Sequence, residues 1–573
     1  MPPSVSPSLF DQFARGWRGY VLVALIALVS AQFGAGRMPV MDADEARFAQ
    51  ATRQMIETGD YVRIRLQDEE RNRKPIGVHW AQAAAVSATS SFTRQTNAIW
   101  PYRLPSALGL VLAALATLWA GRALMSERAA LFGAGLFAAG MLAGFEGMTA
   151  KTDALLLGFT TLALAALARL RMLPDERRLL GSTELAVLFW LALALGVLVK
   201  GPIAPLIALL TLAALGIWET RWVWMRPLLW WPGPLLAAIV VAPWFVAISL
   251  ETDGRFLLDM VFGDLAPKVI SGDEGHFALP GYHLFLLPFL IFPATYALPA
   301  AARLAWETLR APRTDDAHAA FRFLLAWAAP TFIFFELAPT KLPHYVLPAY
   351  PAIALLCGAG LSAMLGKQWR TAHPAGVVLF AVAGAVIVAL MATAATFMPG
   401  DLAADLRRAI STALIGLGAV AAAFTALMMM RRPAAKAAVL VACALVLSFS
   451  LRDRILPEAR ALNVSGETVA ALTRARLLPT DERPLWVVGY GEPSLVFMTR
   501  TSIRMVSARE AGERAQIGDA LAIEGRVLAE IEAVLAERGL AFTPAEPPVR
   551  GLSLGRGERV ALFVGQLERS SGE

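Results

Sequence analysis

Cysteine is nearly absent from this chain: there are two, Cys357 and Cys443, each inside an apolar run. That excludes a disulfide framework and a cysteine-built metal centre. Charge is scarce too. Only 17% of the 573 residues are Asp, Glu, Lys or Arg, against 57% hydrophobic, and the mean hydropathy is +0.55. A soluble protein of that makeup would expose large apolar patches, so the shortage of charge leaves a polytopic membrane protein. Runs of like charge, internal repeats, a P-loop and a His-Glu-x-x-His zinc pair are also missing. Gly489-Tyr-Gly491 lacks the third glycine of a dinucleotide loop. The net charge of +7 and pI near 9.6 would suit nucleic acid, but the basic residues stand where a membrane orients its loops, so no nucleic-acid partner is expected.

What is present is a succession of apolar segments. After a polar start over residues 1–18, residues 19–33 form a first, uncleaved span. Residues 36–102 hold no spanning segment and are expected to be a long loop with two or three short interfacial helices. Further spans fall near 103–121, 129–145, 150–168, 184–199, 201–217, 228–249, 282–302, 321–337, 343–365, 375–397, 408–429 and 436–451, about thirteen in all. Alternate loops, at 121–128, 169–178, 221–226, 303–322, 367–370 and 431–436, are all basic, and the positive-inside rule makes them cytoplasmic. The N-terminus is then cytoplasmic, while the first loop, the loop 250–281 and the tail lie outside. The tail changes character, with strand-like runs (485–488, 494–498, 560–564) and helical patterns (511–523, 526–537). The expected architecture is a polytopic α-helical membrane domain over 1–451 followed by a soluble α/β domain over 452–573, in a bacterial inner membrane. Asn463-Val-Ser465 spells a glycosylation sequon, a pattern common by chance.

Polar residues gather at the outer ends of these spans. The first loop brings Asp42, Asp44, Glu45, Arg47, Lys74 and His79. Later come Lys151-Thr-Asp153, Lys200-Gly-Pro202, Asp273-Glu-Gly-His276 with His283, and Thr340-Lys-Leu-Pro-His-Tyr345. Some have bland readings. Asp42 and Glu45 form a capping box that opens a helix bearing Phe48, Ala51 and Met55 on one face. Lys200 snorkels and His283 packs at the interface. Six groups converging on one face nonetheless exceed what solvation requires. Carboxylates among Lys, Arg and His suit group transfer from a phosphate: an acid orients or deprotonates the nucleophile, and cations hold the leaving phosphate. Nucleotide-activated sugars are not supplied outside the cytoplasm, so the donor would travel in the lipid.

Asp44-Glu-Ala-Arg-Phe48, Lys74-Pro75, Thr152-Asp153, Lys200-Gly-Pro202 and Thr340-Lys-Leu-Pro-His-Tyr-Val-Leu-Pro348 follow one another as in a known family. Over residues 20–365 the chain resembles the membrane GT-C glycosyltransferases of the protein O-mannosyltransferase and aminoarabinose–lipid A transferase type. The resemblance implies transfer of a sugar, with inversion, from a polyprenyl-phosphate carrier to lipid A, another glycan or protein. It implies Asp44 and Asp153 as the catalytic acids, with Lys74, Lys341 and Arg73 at the donor phosphate. Glu45, Arg47, Lys200, His276, His344 and Tyr345 would line the cavity. The lipid A transferases carry a metal-holding glutamate before Lys-Pro; here that residue is Arg73, and the arginine expected after His276 is missing. No cofactor is therefore expected. A protein O-mannosyltransferase, a transporter and a non-enzymatic scaffold are the alternatives.

Overall fold

The computed structural model describes residues 15–41, 44–93, 96–173, 178–220, 222–270, 278–364, 372–394, 402–480 and 482–570. Within it the chain is a multi-pass membrane protein. Eight helices are long and apolar enough to cross a membrane, or ten if each of two bent pairs counts as one span, and three shorter apolar helices, the first of them α1 (Trp17–Gln32), accompany them. All of them coincide with the apolar segments read from the sequence. Two of those segments are not straight. Residues 129–145 split into α5 (Glu127–Ala138) and α6 (Met141–Met148), bent by 54°. The segment at 282–302 bends by 111° between Tyr282–Leu290 and Ala294–Arg310. Pro288 and Pro293 lie at that second break, where missing N–H donors interrupt the helical ladder.

Close helix approach fixes the part that matters for function. The helix α4 (Trp100–Leu124) packs against α7 (Asp153–Met172) through glycines. A methyl group on Gly109 would stand 2.5 Å from the Ala154 carbonyl oxygen, and one on Gly158 would stand 2.8 Å from that of Gly109. With no hydrophobic drive between helices in lipid, backbone contact at small residues holds such pairs together. The N-terminus of α7, and Asp153 with it, is thereby locked against α4.

The long first loop contains α2 (Asp44–Thr58), a two-stranded turn of β1 (Arg65–Leu66) and β2 (Glu69–Glu70), and α3 (Gly77–Thr89). Gly77 sits under the end of α8 (Arg178–Lys200), 2.7 Å from the Leu198 carbonyl by the same measure, which brings Lys74 toward Lys200. Between Pro232–Glu251 and Tyr282, residues Arg255–Ile270 wind as a chain of short helical turns over the same region.

The tail folds on one six-stranded mixed sheet in the order β4-β3-β5-β8-β6, with β7 also on β8. Its strands are β3 (Leu485–Val488), β4 (Arg504–Val506), β5 (Ala520–Glu524), β6 (Leu540–Pro544), β7 (Val549–Ser553) and β8 (Glu558–Arg569). Two expectations fail here. Residues 494–498 are helical (Pro493–Met498), because Pro493 occupies the first turn, where its fixed φ starts a helix. The pattern over 511–523 divides into a helix ending at Arg514 and strand β5, separated by Gly518 at φ +87°. Strand β5 is buried on both faces, so it lacks the alternation that marks a strand. Asn463 is a helix cap, its side chain accepting from the Gly466 N–H. Gly551-Leu-Ser-Leu-Gly555 spells a Gly-x-Ser-x-Gly pattern, but Ser553 is buried at the end of β7 and donates to Glu492, and no helix follows directly. It lacks the strand-to-helix turn of a nucleophile elbow.

The tail docks on the first loop. Arg53 Nη1 donates to the Phe497 carbonyl (2.7 Å), Gln50 to Thr501 (2.8 Å) and Gln67 to the Ile503 carbonyl (2.6 Å). First loop and tail therefore occupy the same face of the molecule.

Candidate active site

Where α7 begins and α8 ends, opposite charges meet. Asp153 stands in the first turn of α7 and Lys200 is the last residue of α8, each at the helix end its charge prefers. Lys200 Nζ donates to Asp153 Oδ1 at 2.5 Å and lies 5.7 Å from the centre of the Tyr345 ring. His344 bridges two acids: its Nε2 is 3.7 Å from Asp153 Oδ1 and its Nδ1 is 3.7 Å from Glu146 Oε1. Glu146 also pairs with Lys151 at 3.0 Å. Buried charges at this density persist only as a mutually paired network.

Four of these residues, Asp153, Lys200, His344 and Tyr345, line a cavity of about 190 Å³. Arg73, Lys74, Lys200 and Lys268 supply cations to its lining, with Asp153, His344 and Tyr345 beside them. The remainder is apolar, including Leu156, Ile203, Leu206, Phe334 and Phe335. Such a cavity matches a ligand that is anionic at one end and hydrocarbon at the other.

The expected site residues divide. Lys74, Arg73, Asp153, Lys200, His344 and Tyr345 come together in this one cavity. Asp44 is not among the residues lining this cavity; it stands 3.8 Å from Arg47 and 3.9 Å from Arg71, and its side chain is 49% exposed. Loss of bulk water around Asp44 raises its pKa, but Arg71, Lys151 and Arg47 outweigh that and hold it below the ordinary carboxylate value. Arg47 faces a second, more polar cavity with Arg71, Glu70 and Asp259. His276 lies outside the described residues, as do Asp42, Asp273 and Glu274.

Two placements differ from expectation. Lys341 is buried and donates to the Ala278 (2.8 Å) and Ala338 (2.6 Å) carbonyls, so it pins a loop rather than lining the cavity. Glu45 is no cavity residue either. It is buried and forms a two-pronged pair with Arg103 at 2.8 and 2.9 Å, while accepting the Met41 and Ala150 N–H groups. The capping box expected of Glu45 rests on Asp42, outside the described residues, and the Met41 bond comes from one residue earlier; the pair with Arg103, 58 residues away, is what the sequence does not announce. His79 is buried beside Thr52 (2.7 Å), and burial pushes its pKa down to about 3, leaving a neutral packed imidazole.

Residues missed by sequence reasoning are Glu146, Arg71, Asp264 and Lys268. Glu146 carried a usable signal, a lone acid inside an apolar segment. Asp264 and Lys268 belong to no motif. Asp264 ion-pairs with Lys74 and, at 2.7 Å, with Lys268. Burial lowers the pKa of Lys74 to about 8, with Asp264 opposing the shift.

The position before Lys74-Pro75, where the resemblance implies a metal-holding glutamate, carries Arg73, and no cluster of three His, Cys, Asp or Glu side chains occurs among the described residues. Turnover is expected to survive a chelator. Loss of activity in chelator, restored by a divalent ion, would place ligands in residues 271–277.

The family model for dolichyl-phosphate-mannose-protein mannosyltransferase matches residues 83–254. Among curated relatives, an undecaprenyl phosphate-α-4-amino-4-deoxy-L-arabinose arabinosyl transferase from Pseudomonas aeruginosa is 31% identical over 56% of this chain and 55% of its own length. The enzyme of that name from Erwinia tasmaniensis is 27% identical over 55% and 54%. The chain thus spans about half the length of the curated relatives it matches. The crystal structure of ArnT from Cupriavidus metallidurans bound to undecaprenyl phosphate superposes with a TM-score of 0.74 at 19% identity, covering 96% of this chain and 98% of that one. The chain accordingly shares the fold of that structure, and its sequence is similar to those of enzymes named as aminoarabinose transferases.

Proposed function

We propose that this protein transfers a sugar from a polyprenyl-phosphate carrier to lipid A or another envelope glycan, inverting the anomeric carbon. The observation that carries the reading is the cavity itself, which pairs a cationic end at Lys74, Arg73 and Lys200 with an apolar remainder. Its relatives are named for an undecaprenyl-phosphate sugar donor. In the step, an acceptor oxygen attacks the anomeric carbon while the bond from that carbon to the phosphate oxygen breaks. The electron pair leaves on the polyprenyl phosphate. This group departs near neutral pH without a general acid, because the second pKa of a phosphate monoester is about 6. Fixed cations, not a partner acid, are what the leaving side needs. Asp44, held ionised, orients the acceptor and takes the proton of an acceptor hydroxyl as the new bond forms.

The donor role of Lys74 has a direct test. Lys74→Ala is expected to raise the KM for polyprenyl-phosphate sugar by about tenfold or more, on the scale of a lost charge-assisted hydrogen bond, and to change the acceptor KM far less. In the wild type, kcat/KM for the donor should fall as pH rises through about 8, where free Lys74 loses its proton. Equal shifts in both KM values, or a profile flat to pH 9, would remove Lys74 from the donor site. Mass spectrometry of envelope glycolipids from a deletion strain separates a lipid A or glycan acceptor from a protein one.

The orientation belongs to the same proposal. The basic alternate loops support a cytoplasmic N-terminus and a periplasmic tail, on the side where a lipid-carried donor is used. A phosphatase fused to the C-terminus should be active. Activity of a cytoplasm-only reporter there would reverse the placement of every site residue.

A further inference from the structure

Lys268 lies in the turns that follow the span Pro232–Glu251, outside the motifs quoted from the sequence above. Its side chain is nonetheless largely buried and lines the cavity described above. Lys74 arrives at the same place from the first loop, 190 residues away from Asp264 in sequence. The two ammonium groups share one carboxylate: Asp264 Oδ2 pairs with Lys74 and Oδ1 with Lys268. Asp264 is 2% exposed and is not part of the cavity lining, so it holds both lysines from behind.

The charge count at this point is uneven. Two cations on one acid leave an excess of positive charge at the cavity wall, in a region where an unpaired charge is costly. An ammonium has three N–H donors, and a carboxylate takes only one from each lysine here. The remaining donors on both lysines are available to a second anion on the cavity side. A phosphate monoester carries between one and two negative charges at neutral pH and three acceptor oxygens. It fits both the excess charge and the spare donors.

We propose that Lys268 and Lys74 together bind the phosphate of the lipid-linked donor, and that Asp264 is the positioning residue that sets the two lysines side by side. The inference rests on the donor reading above and deepens it, since it replaces Lys341 with Lys268 as the second phosphate cation. No bond to the sugar is made or broken by either lysine; they hold the leaving group.

The test uses the full-length protein in lipid nanodiscs, with binding of polyprenyl phosphate and steady-state transfer measured side by side. Lys268→Met keeps the apolar stem and removes the charge. It should weaken polyprenyl-phosphate binding and raise the donor KM by about tenfold or more, with the acceptor KM within about twofold. Lys268→Arg should restore most of that loss. Asp264→Asn, which frees both lysines from their common anchor, should raise the donor KM at least as much as Lys268→Met. The double variant should be no worse than the poorer single one by more than about twofold, because the residues act as one unit. A folded Lys268→Met protein with wild-type donor KM and wild-type polyprenyl-phosphate binding would overturn this inference while leaving the donor reading intact. A wild-type protein that neither binds polyprenyl phosphate nor transfers from its sugar would overturn the donor reading itself.

Discussion

Asp44→Asn is expected to lower turnover by about a hundredfold or more with little change in stability. The substitution keeps the size and most hydrogen-bonding capacity of the side chain, and removes the charge and the basicity. Its partners are loose, with Arg47 and Arg71 near 4 Å and half of the side chain exposed. Ion pairs of that kind contribute little to folding. The cost should therefore appear in the chemical step, where a positioned acid–base group supplies about 10²–10⁴-fold. Expression, melting temperature and polyprenyl-phosphate binding should remain close to wild type. Near-normal turnover would remove Asp44 from the reaction.

The adjacent acid should behave in the opposite way. Glu45→Gln leaves Arg103 as a buried cation without its counter-charge, and breaking such a pair costs about 3–5 kcal/mol. The Arg103 fork also holds the Ala35, Met38 and Pro39 carbonyls, while Glu45 fixes the Ala150 N–H just ahead of Lys151 and Asp153. The loss should spread from the first loop into the end of α7 that carries Asp153. From the capping role alone, this exchange would be mild; the buried pair makes it severe. Low yield and a sharply reduced melting temperature are expected. A well-expressed Glu45→Gln protein with near-normal stability would show that the pair is not what joins the loop to the spans.

Asp44 and Glu45 illustrate what a sequence discloses. Both stand in one short acidic motif next to the first span, and the motif is legible because charge beside a membrane is conspicuous. Their separation into a half-exposed acid and a buried anchor depends on Arg103, which lies 58 residues from Glu45 in a mainly apolar helix. The apolar segments themselves were legible at nearly every position, since hydrocarbon imposes long apolar stretches on the chain. Bends at the prolines were not, because hydropathy measures length and not direction. Lys74, Asp153, Lys200, His344 and Tyr345, which the sequence draws together through shared motifs and a common face, line one cavity. Lys341 sits in the same motif as His344 and Tyr345 but turns its ammonium to two backbone carbonyls. Lys268 and Asp264, which meet Lys74, stand in a loop with no periodicity and no motif. Only the folded contact reveals them.

The central claim is that the sugar arrives on a lipid phosphate and leaves that phosphate in the cationic cavity. The most direct measurement is transfer of label by the purified protein in nanodiscs, offered either a polyprenyl-phosphate sugar or a nucleotide sugar with envelope glycolipid as acceptor. Label should reach the acceptor only from the polyprenyl-phosphate sugar, with release of one polyprenyl phosphate per sugar moved and inversion at the anomeric carbon. Transfer from the nucleotide sugar with no lipid carrier present would contradict the account.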